Sequence, residues 1–560
     1  MESLIHAFPD DHHLRTIELF LTTCSDLHND VDVNSIVSQY VSRLAEFASK
    51  NPESVPALDP KFVDLFTVFS HHVSEITAKR KEIMGPSDVI CLCDALLAVV
   101  FKCFPDRLDY VDQVLGHLPN HADTSGNPEC FRTSSTISRQ LLALLKLPVE
   151  EYNDLTRIAK LSNYSLAMSL LPAFPARQLA RALADSAVSK KLIPSDLPKE
   201  EVETWVQSIL GLVVPLYNNK EVDEEDIMDD AVLLSKMIHS FDGVGDSSVQ
   251  LEIVNQIYEI LKKSGDLRLR VIIPSLVLVT LHAARTGCPK EVNENQQESD
   301  ETTESQEDIQ EEEDQIEDPL DLNSQKTSVD LANDSPTRAA IRLAMVYCEI
   351  MRDLDPKLSL SILSQVALIA ASLDEITLSY DSMAQVLLIF EREPLGDSRK
   401  QLDVFRQIVA TLVALKLPQE FHQTLASRTT QLHSQLLLRP DQCSALVLCS
   451  HLFENIDEDR ILEVLKRAFK MADKCMETQV DVSLLVAILE RFLYHFERFG
   501  SKGEARITST HINGILSLVA SNLPEDPSGQ SVFDNVKAHI EARKSDTKYA
   551  EIYAEISTDV

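Results

Sequence analysis

The sequence predicts an all-α fold, a HEAT-like α-solenoid of antiparallel helix pairs interrupted by one long disordered acidic insertion. Three observations lead there. Only 13 Gly occur in 560 residues, so tight β-turns are scarce, and Leu, Ala, Ser and Glu crowd the chain where a β protein would alternate branched residues. Apolar positions recur at helical spacing. Proline-opened helix pairs repeat at about forty residues, the HEAT-like period.

The clearest pair runs from Pro86 to Leu118. Val89, Leu92, Leu96, Val99, Val100 and Cys103 form one apolar stripe, and Phe104-Pro105-Asp106 then ends the helix. Proline disfavours helical conformation in the residue before it and suits the first turn of the next helix. Leu108, Val111, Leu115 and Leu118 continue the period. Neither stripe can be buried by two short helices alone, so the unit has to stack on others. Before it, helices are expected over 10–28, 33–50 and 60–82. The pair itself gives 87–103 and 106–118, followed by 133–147, 149–162, 174–190, 199–213, 226–240, 246–264 and 268–285. Phe8-Pro9-Asp10, Arg439-Pro440-Asp441, Leu58-Asp59-Pro60-Lys61 and Leu354-Asp355-Pro356-Lys357 repeat the start signal, an Asp being a good N-cap and Pro a good first residue.

Residues 288–335 break the pattern. Between Glu291 and Gln325 there are 15 Asp or Glu and no Lys or Arg. Such a stretch cannot bury enough apolar area to offset ordering, and it reads as a disordered loop. Its Ser and Thr beside acids have the form of acidophilic kinase sites. Helices resume over 336–354, 357–372, 377–392, 398–416, 418–438, 441–454, 458–476, 479–499, 504–522 and 529–544. The expected organisation is therefore solenoid over 1–287, acidic loop over 288–335, solenoid over 336–545 and a tail over 546–560. In that tail Tyr549-Ala550-Glu551-Ile552 and Tyr553-Ala554-Glu555-Ile556 have the form of sorting signals, but a final helical turn is the preferred reading. Thr558-Asp559-Val560 is a weak match to a carboxylate-captured ligand.

A net charge of −36 argues against nucleic acid, whose phosphates need a basic face. Cysteines set in apolar stripes (Cys103, Cys348, Cys443, Cys449) behave as small hydrophobes and suggest a reducing compartment. No apolar run approaching the ~20 residues of a membrane span is evident, so a membrane role would be peripheral. Catalytic chemistry finds no foothold, and neither a cofactor nor a metal is expected. Gly243-Val244-Gly245 lacks the rest of a phosphate loop. Asp30-Val31-Asp32-Val33-Asn34 opens like a calcium loop, but Ser35 and Val41 occupy its Gly and bidentate-acid positions, and it suits a helix cap better. Cys91 and Cys93 point to different sides of a helix. His12-His13 and His71-His72 lack zinc-hydrolase spacing. No nucleophile elbow occurs.

Several stretches resemble the retromer large subunit, the vacuolar protein sorting 35 family. They are Phe8-Pro9-Asp10 with Leu27-His28-Asn29-Asp30-Val31, Pro105-Asp106-Arg107-Leu108-Asp109-Tyr110-Val111-Asp112, Thr133-Ser134-Ser135-Thr136-Ile137-Ser138 leading to Leu145-Lys146-Leu147-Pro148-Val149, Leu269-Arg270 with Pro274-Ser275-Leu276-Val277, and Pro440-Asp441-Gln442 leading to Cys449-Ser450-His451-Leu452-Phe453. Their order is collinear with the family. The resemblance implies a non-catalytic scaffold of the endosomal cargo-recognition complex, cytoplasmic and peripheral on endosomes, acting in retrograde transport. It implies a metallophosphoesterase-fold subunit on the C-terminal half, with His451 and Phe453 as candidate contacts. Asp374, Glu375 and Asp381 resemble the family's acidic helix connection for self-association or partner contacts, and self-association there would make a homodimer through the C-terminal half. Cargo tails and sorting nexins are further implied partners. The family's N-terminal third, with the Pro-Arg-Leu-Tyr motif for the arrestin-like subunit, is expected to be missing here. The other reading is a HEAT-type adaptor or regulatory subunit unrelated to trafficking.

Overall fold

A computed structural model describes residues 19–24, 26–28, 31–50, 65–79, 84–125, 129–190, 192, 198–219, 223–243, 246–287, 335–393, 396–454, 457–477, 482–500, 506–524 and 529–558. Among them there is no strand. The chain divides into two compact units, Met1–Ala283 and Ala284–Val560. Phe8-Pro9-Asp10, His12-His13, Asp30, Leu58-Asp59-Pro60-Lys61, Val244-Gly245, Asp559 and Val560 lie outside the described residues, as does the expected acidic loop up to Asp334.

The first unit contains α1 (Val33–Lys50), α2 (Leu65–Lys79), α3 (Pro86–Cys103), α4 (Leu108–Ser125), α5 (Ser135–Tyr152), α6 (Leu155–Ile158), α7 (Ser162–Ser169), α8 (Ala173–Ser189), α9 (Val202–Leu212), α10 (Val214–Tyr217), α11 (Glu224–Ile238) and α12 (Ser247–Leu261), with α13 (Asp266–Thr286) at its end. Most of the α3 stripe is buried as expected: Val89, Leu92, Leu96, Val99 and Val100 are nearly inaccessible, as are Val111, Leu115 and Leu118 of α4, whereas Cys103 and Leu108, at the ends facing the turn, are only partly buried. Each fully buried side chain contributes roughly 1.5–3 kcal/mol by leaving water. Helix α3 packs on α4 and on α1 and α5; α5 packs on α8, and α8 on α11. Contacts with the next helix and with a helix two or three places along are what a stack of helix pairs produces.

Three local expectations need correction. Helix α4 starts at Leu108, not at residue 106, because Phe104 to Arg107 close a turn (Arg107 N–H to Phe104 O, 3.0 Å). Arg107 then grips Asp109 with two hydrogen bonds of 2.9 and 2.7 Å. The boundary expected at Pro148 is absent: α5 carries Pro148 in its interior and ends at Asn153, whose left-handed φ of 42° turns the chain. Asp154 caps α6 by accepting from Thr156 N at 3.0 Å. Finally, α13 is long and apolar enough to cross a membrane by length and composition, unlike anything the sequence reading recognised. Leu269, Ile272, Ile273, Leu276, Val277 and Val279 are all buried, so it is a core helix whose apolar surface faces protein on several sides.

Asp32 Oδ1 accepts from Ser35 N at 3.1 Å, so the calcium-like stretch caps α1. Cys91 is exposed and Cys93 buried, with burial pushing the Cys93 thiol up to about 12. A buried ionic network ties α8 to α11. Arg177 Nε meets Asp230 Oδ2 at 2.6 Å and its Nη1 meets Asp226 Oδ2 at 2.8 Å, while Arg181 Nε meets Asp230 Oδ1 at 2.7 Å. Nearby, buried Arg268 donates to the carbonyls of Leu216, Asn219 and Ser264 at 3.0, 2.9 and 3.0 Å. These carbonyls lie at helix ends, where a cation is favoured.

The second unit contains α14 (Pro336–Leu354), α15 (Pro356–Ser372), α16 (Ile376–Arg392), α17 (Ser398–Ala414), α18 (Gln419–Leu432), α19 (Arg439–Cys449), α20 (Glu458–Met476), α21 (Val482–Gly500), α22 (Ser509–Asn522), α23 (Gln530–Ser545) and the short α24 (Ala550–Tyr553). Asp355 caps α15 by accepting from Leu358 N at 3.1 Å, with Pro356 at the first position. Helix α15 packs on α14, α16 and α17, and α19 packs on α17, α20 and α21. Each unit is thus an all-α stack of HEAT-like helix pairs. At the end, Tyr553 is fully buried and donates to Glu497 Oε1 at 2.7 Å, and Ile556 is buried beside it. Arg543 also holds Glu497, at 3.0 and 3.1 Å.

Candidate functional site

His451 sits on a 3-10 turn, Ser450–Phe453, that joins α19 toward α20. The turn follows from sequence: the apolar period of α19 ends at Cys449, and Leu452 and Phe453 both bury inward, at 1% exposure each. That leaves the intervening His451 half-buried, its side chain 19% exposed. Phe453 therefore serves the core, and a partner could meet it only by displacing its neighbours. His451 is the better-presented of the two candidates.

Around His451 the stacking of α21 supplies three further polar side chains. His451 Nδ1 lies 2.5 Å from Glu454 Oε1, and Arg498 Nη1 lies 2.6 Å from Glu454 Oε2. Arg498 also donates to Tyr494 Oη at 3.1 Å. The His451 ring contacts those of Tyr494 and His495, at centroid separations of 5.2 and 5.6 Å. Burial alone would raise the Glu454 carboxyl, but the hydrogen bond from His451 and the nearby charge of Arg498 hold it below its usual range. His495 is fully buried. Its burial outweighs the Glu454 charge and pulls the imidazole down to about 4, so it is neutral at physiological pH.

The acidic connection is built differently. Asp374 has φ of 62° and follows the C-cap of α15. The Asp374 and Glu375 amides donate back to Ala371 O and Ala370 O at 3.4 and 3.0 Å, the helix-ending pattern that favours a left-handed residue. Glu375 lies 3.8 Å from Arg338. Asp381 is exposed in the second turn of α16; desolvation by its neighbours raises its carboxyl against the pull of Arg342 and Arg338. Asp374 thus does backbone work, and Asp374→Gly is expected to stabilise the second unit by about 0.5–1 kcal/mol, read as a higher denaturation midpoint.

The sequence reading found His451 but missed Glu454, His495 and Arg498. The spacing of His451 and Glu454, three apart, was a usable signal. Nothing in the sequence announced that residues more than forty positions later would close the cluster.

Stacked helix pairs with polar clusters set along their faces define a helical-repeat protein, a class that offers extended surfaces for other proteins. The family model for vacuolar protein sorting-associated protein 35 matches residues 1–522. The chain belongs to that family. It is similar to vacuolar protein sorting-associated protein 35A of Arabidopsis thaliana, at 27% identity covering 97% of this chain and 65% of that protein. It is similar also to vacuolar protein sorting-associated protein 35 of Dictyostelium discoideum (26%, covering 89% and 60%) and of Schizosaccharomyces pombe (22%, covering 98% and 67%). The chain spans about two thirds of the length of these relatives.

Proposed function

We propose that this chain is a non-catalytic scaffold subunit of the retromer cargo-recognition complex, cytoplasmic and peripheral on endosomes, serving retrograde transport from endosomes to the Golgi and plasma membrane. The observation that carries this reading is the family match over residues 1–522. The stacked helix pairs support it, because such stacks bind partners along their faces. In this proposal the second unit holds a metallophosphoesterase-fold subunit, with His451 at or near the contact. Cargo tails and sorting nexins are further partners, and the connection bearing Asp374, Glu375 and Asp381 mediates self-association. The arrestin-like subunit would depend on the family's Pro-Arg-Leu-Tyr motif.

A pulldown with purified metallophosphoesterase-fold retromer subunit tests the reading. Stoichiometric recovery supports it. Failure to recover that subunit with a well-folded chain that instead holds another stable partner would favour a HEAT-type adaptor outside trafficking.

A further inference from the structure

One nitrogen each from His451 and His495 and one carboxylate oxygen of Glu454 all lie within 4.8 Å of one another. Two imidazoles and a carboxylate are a donor set that suits zinc, and three protein ligands leave a fourth position for water or another ligand. The decisive detail is the protonation of His495. Ser450 Oγ donates to Val447 O at 2.7 Å, which uses its only proton. At its 3.1 Å contact with His495 Nε2 the hydroxyl therefore accepts, so Nε2 carries the ring proton. Nδ1 of His495 is then a bare lone pair, and it is buried with no hydrogen-bond partner. An unpaired buried acceptor is costly, commonly about 1–3 kcal/mol, and invites a ligand.

The rest of the arrangement is that of a supported metal site. Ser450 orients the His495 ring through its far nitrogen, and Arg498 holds Glu454 Oε2, leaving Oε1 toward His451. Outer partners of this kind orient metal-binding groups. His451 keeps 19% of its side chain exposed, giving an ion a way in from solvent. We propose that His451, Glu454 and His495 form a zinc site that staples the Ser450–Phe453 turn to α21. Zinc would replace the proton that His451 Nδ1 shares with Glu454, and that proton either moves to Nε2 of a neutral ring or leaves an imidazolium for solvent. The inference stands on the geometry of this unit alone and does not depend on the partner proposed above.

The test is titration of the full chain with zinc, compared with His451→Gln and Glu454→Gln, each checked by circular dichroism and thermal melting. The wild type is expected to bind one equivalent that both variants lose or bind more than about 100-fold more weakly, above what loss of an outer-shell partner costs. Bound zinc should also raise the melting temperature of the wild type only. No bound equivalent in the wild type, or the same affinity in folded variants, overturns the site. Should both variants fail to fold, cobalt decides: tetrahedral ligand-field absorption from the wild-type chain supports the site, and its absence overturns it.

Discussion

Asp230→Ala is expected to destabilise the first unit by about 3–5 kcal/mol, the usual cost of removing one member of a buried ion pair. Asp230 is fully buried and is held by Arg177 and Arg181 at once. Its loss leaves the Arg177 guanidinium, whose side chain is only 7% exposed, with Asp226 as its sole carboxylate among these contacts. The charge of Asp230 also supports Arg268, and the charge of Arg177 opposes it, so the variant leaves cations facing one another in a poorly solvated place. Amide exchange should accelerate across α8 and α11. Replacing Arg177 and Asp230 together by Met and Leu should recover much of the loss, since a well-packed apolar pair avoids desolvating charges. An unchanged denaturation midpoint for Asp230→Ala would show that the network is solvated in solution.

Phe453→Ala is expected to cost about 3–5 kcal/mol in the second unit. The ring is 1% exposed, and the Arg460 guanidinium lies 5.9 Å from its centroid. Deleting it empties the space beneath the turn that carries His451. Under conditions where the variant is folded, affinity for a partner should fall little. A variant that melts like the wild type yet loses its partner would place Phe453 at the contact instead.

The helices were legible because each buries one face, so the apolar period survives in sequence. Val89, Leu92 and Leu96 announced α3, and Asp355 with Pro356 announced the start of α15. Pro148 misled because a proline breaks a helix only where its missing N–H or its ring is not tolerated; the turn came instead from Asn153, whose readiness to adopt the left-handed backbone, with Asp154 after it as an N-cap, was the usable signal. Helix α13 was expected over 268–285, but its span-like apolar length went unremarked: buried on several sides, it keeps little of the polar face that marks a helix of a globular stack. The cluster at His451 was half legible. His451 and Glu454 are near neighbours, whereas His495 and Arg498 arrive by stacking α21 on α19, and the register of that stacking is set by side-chain packing that no single helix records. The Arg177–Asp230 network escaped for the same reason.

The most direct test of the account is calorimetric titration of this chain with the metallophosphoesterase-fold retromer subunit, beside a His451→Arg variant shown by circular dichroism to be folded. The account predicts binding by the wild type and its loss in the variant, because an arginine at this position sets a second guanidinium beside Arg498 and removes the imidazole that Glu454 holds. No binding by a well-folded wild-type chain would contradict the scaffold role itself.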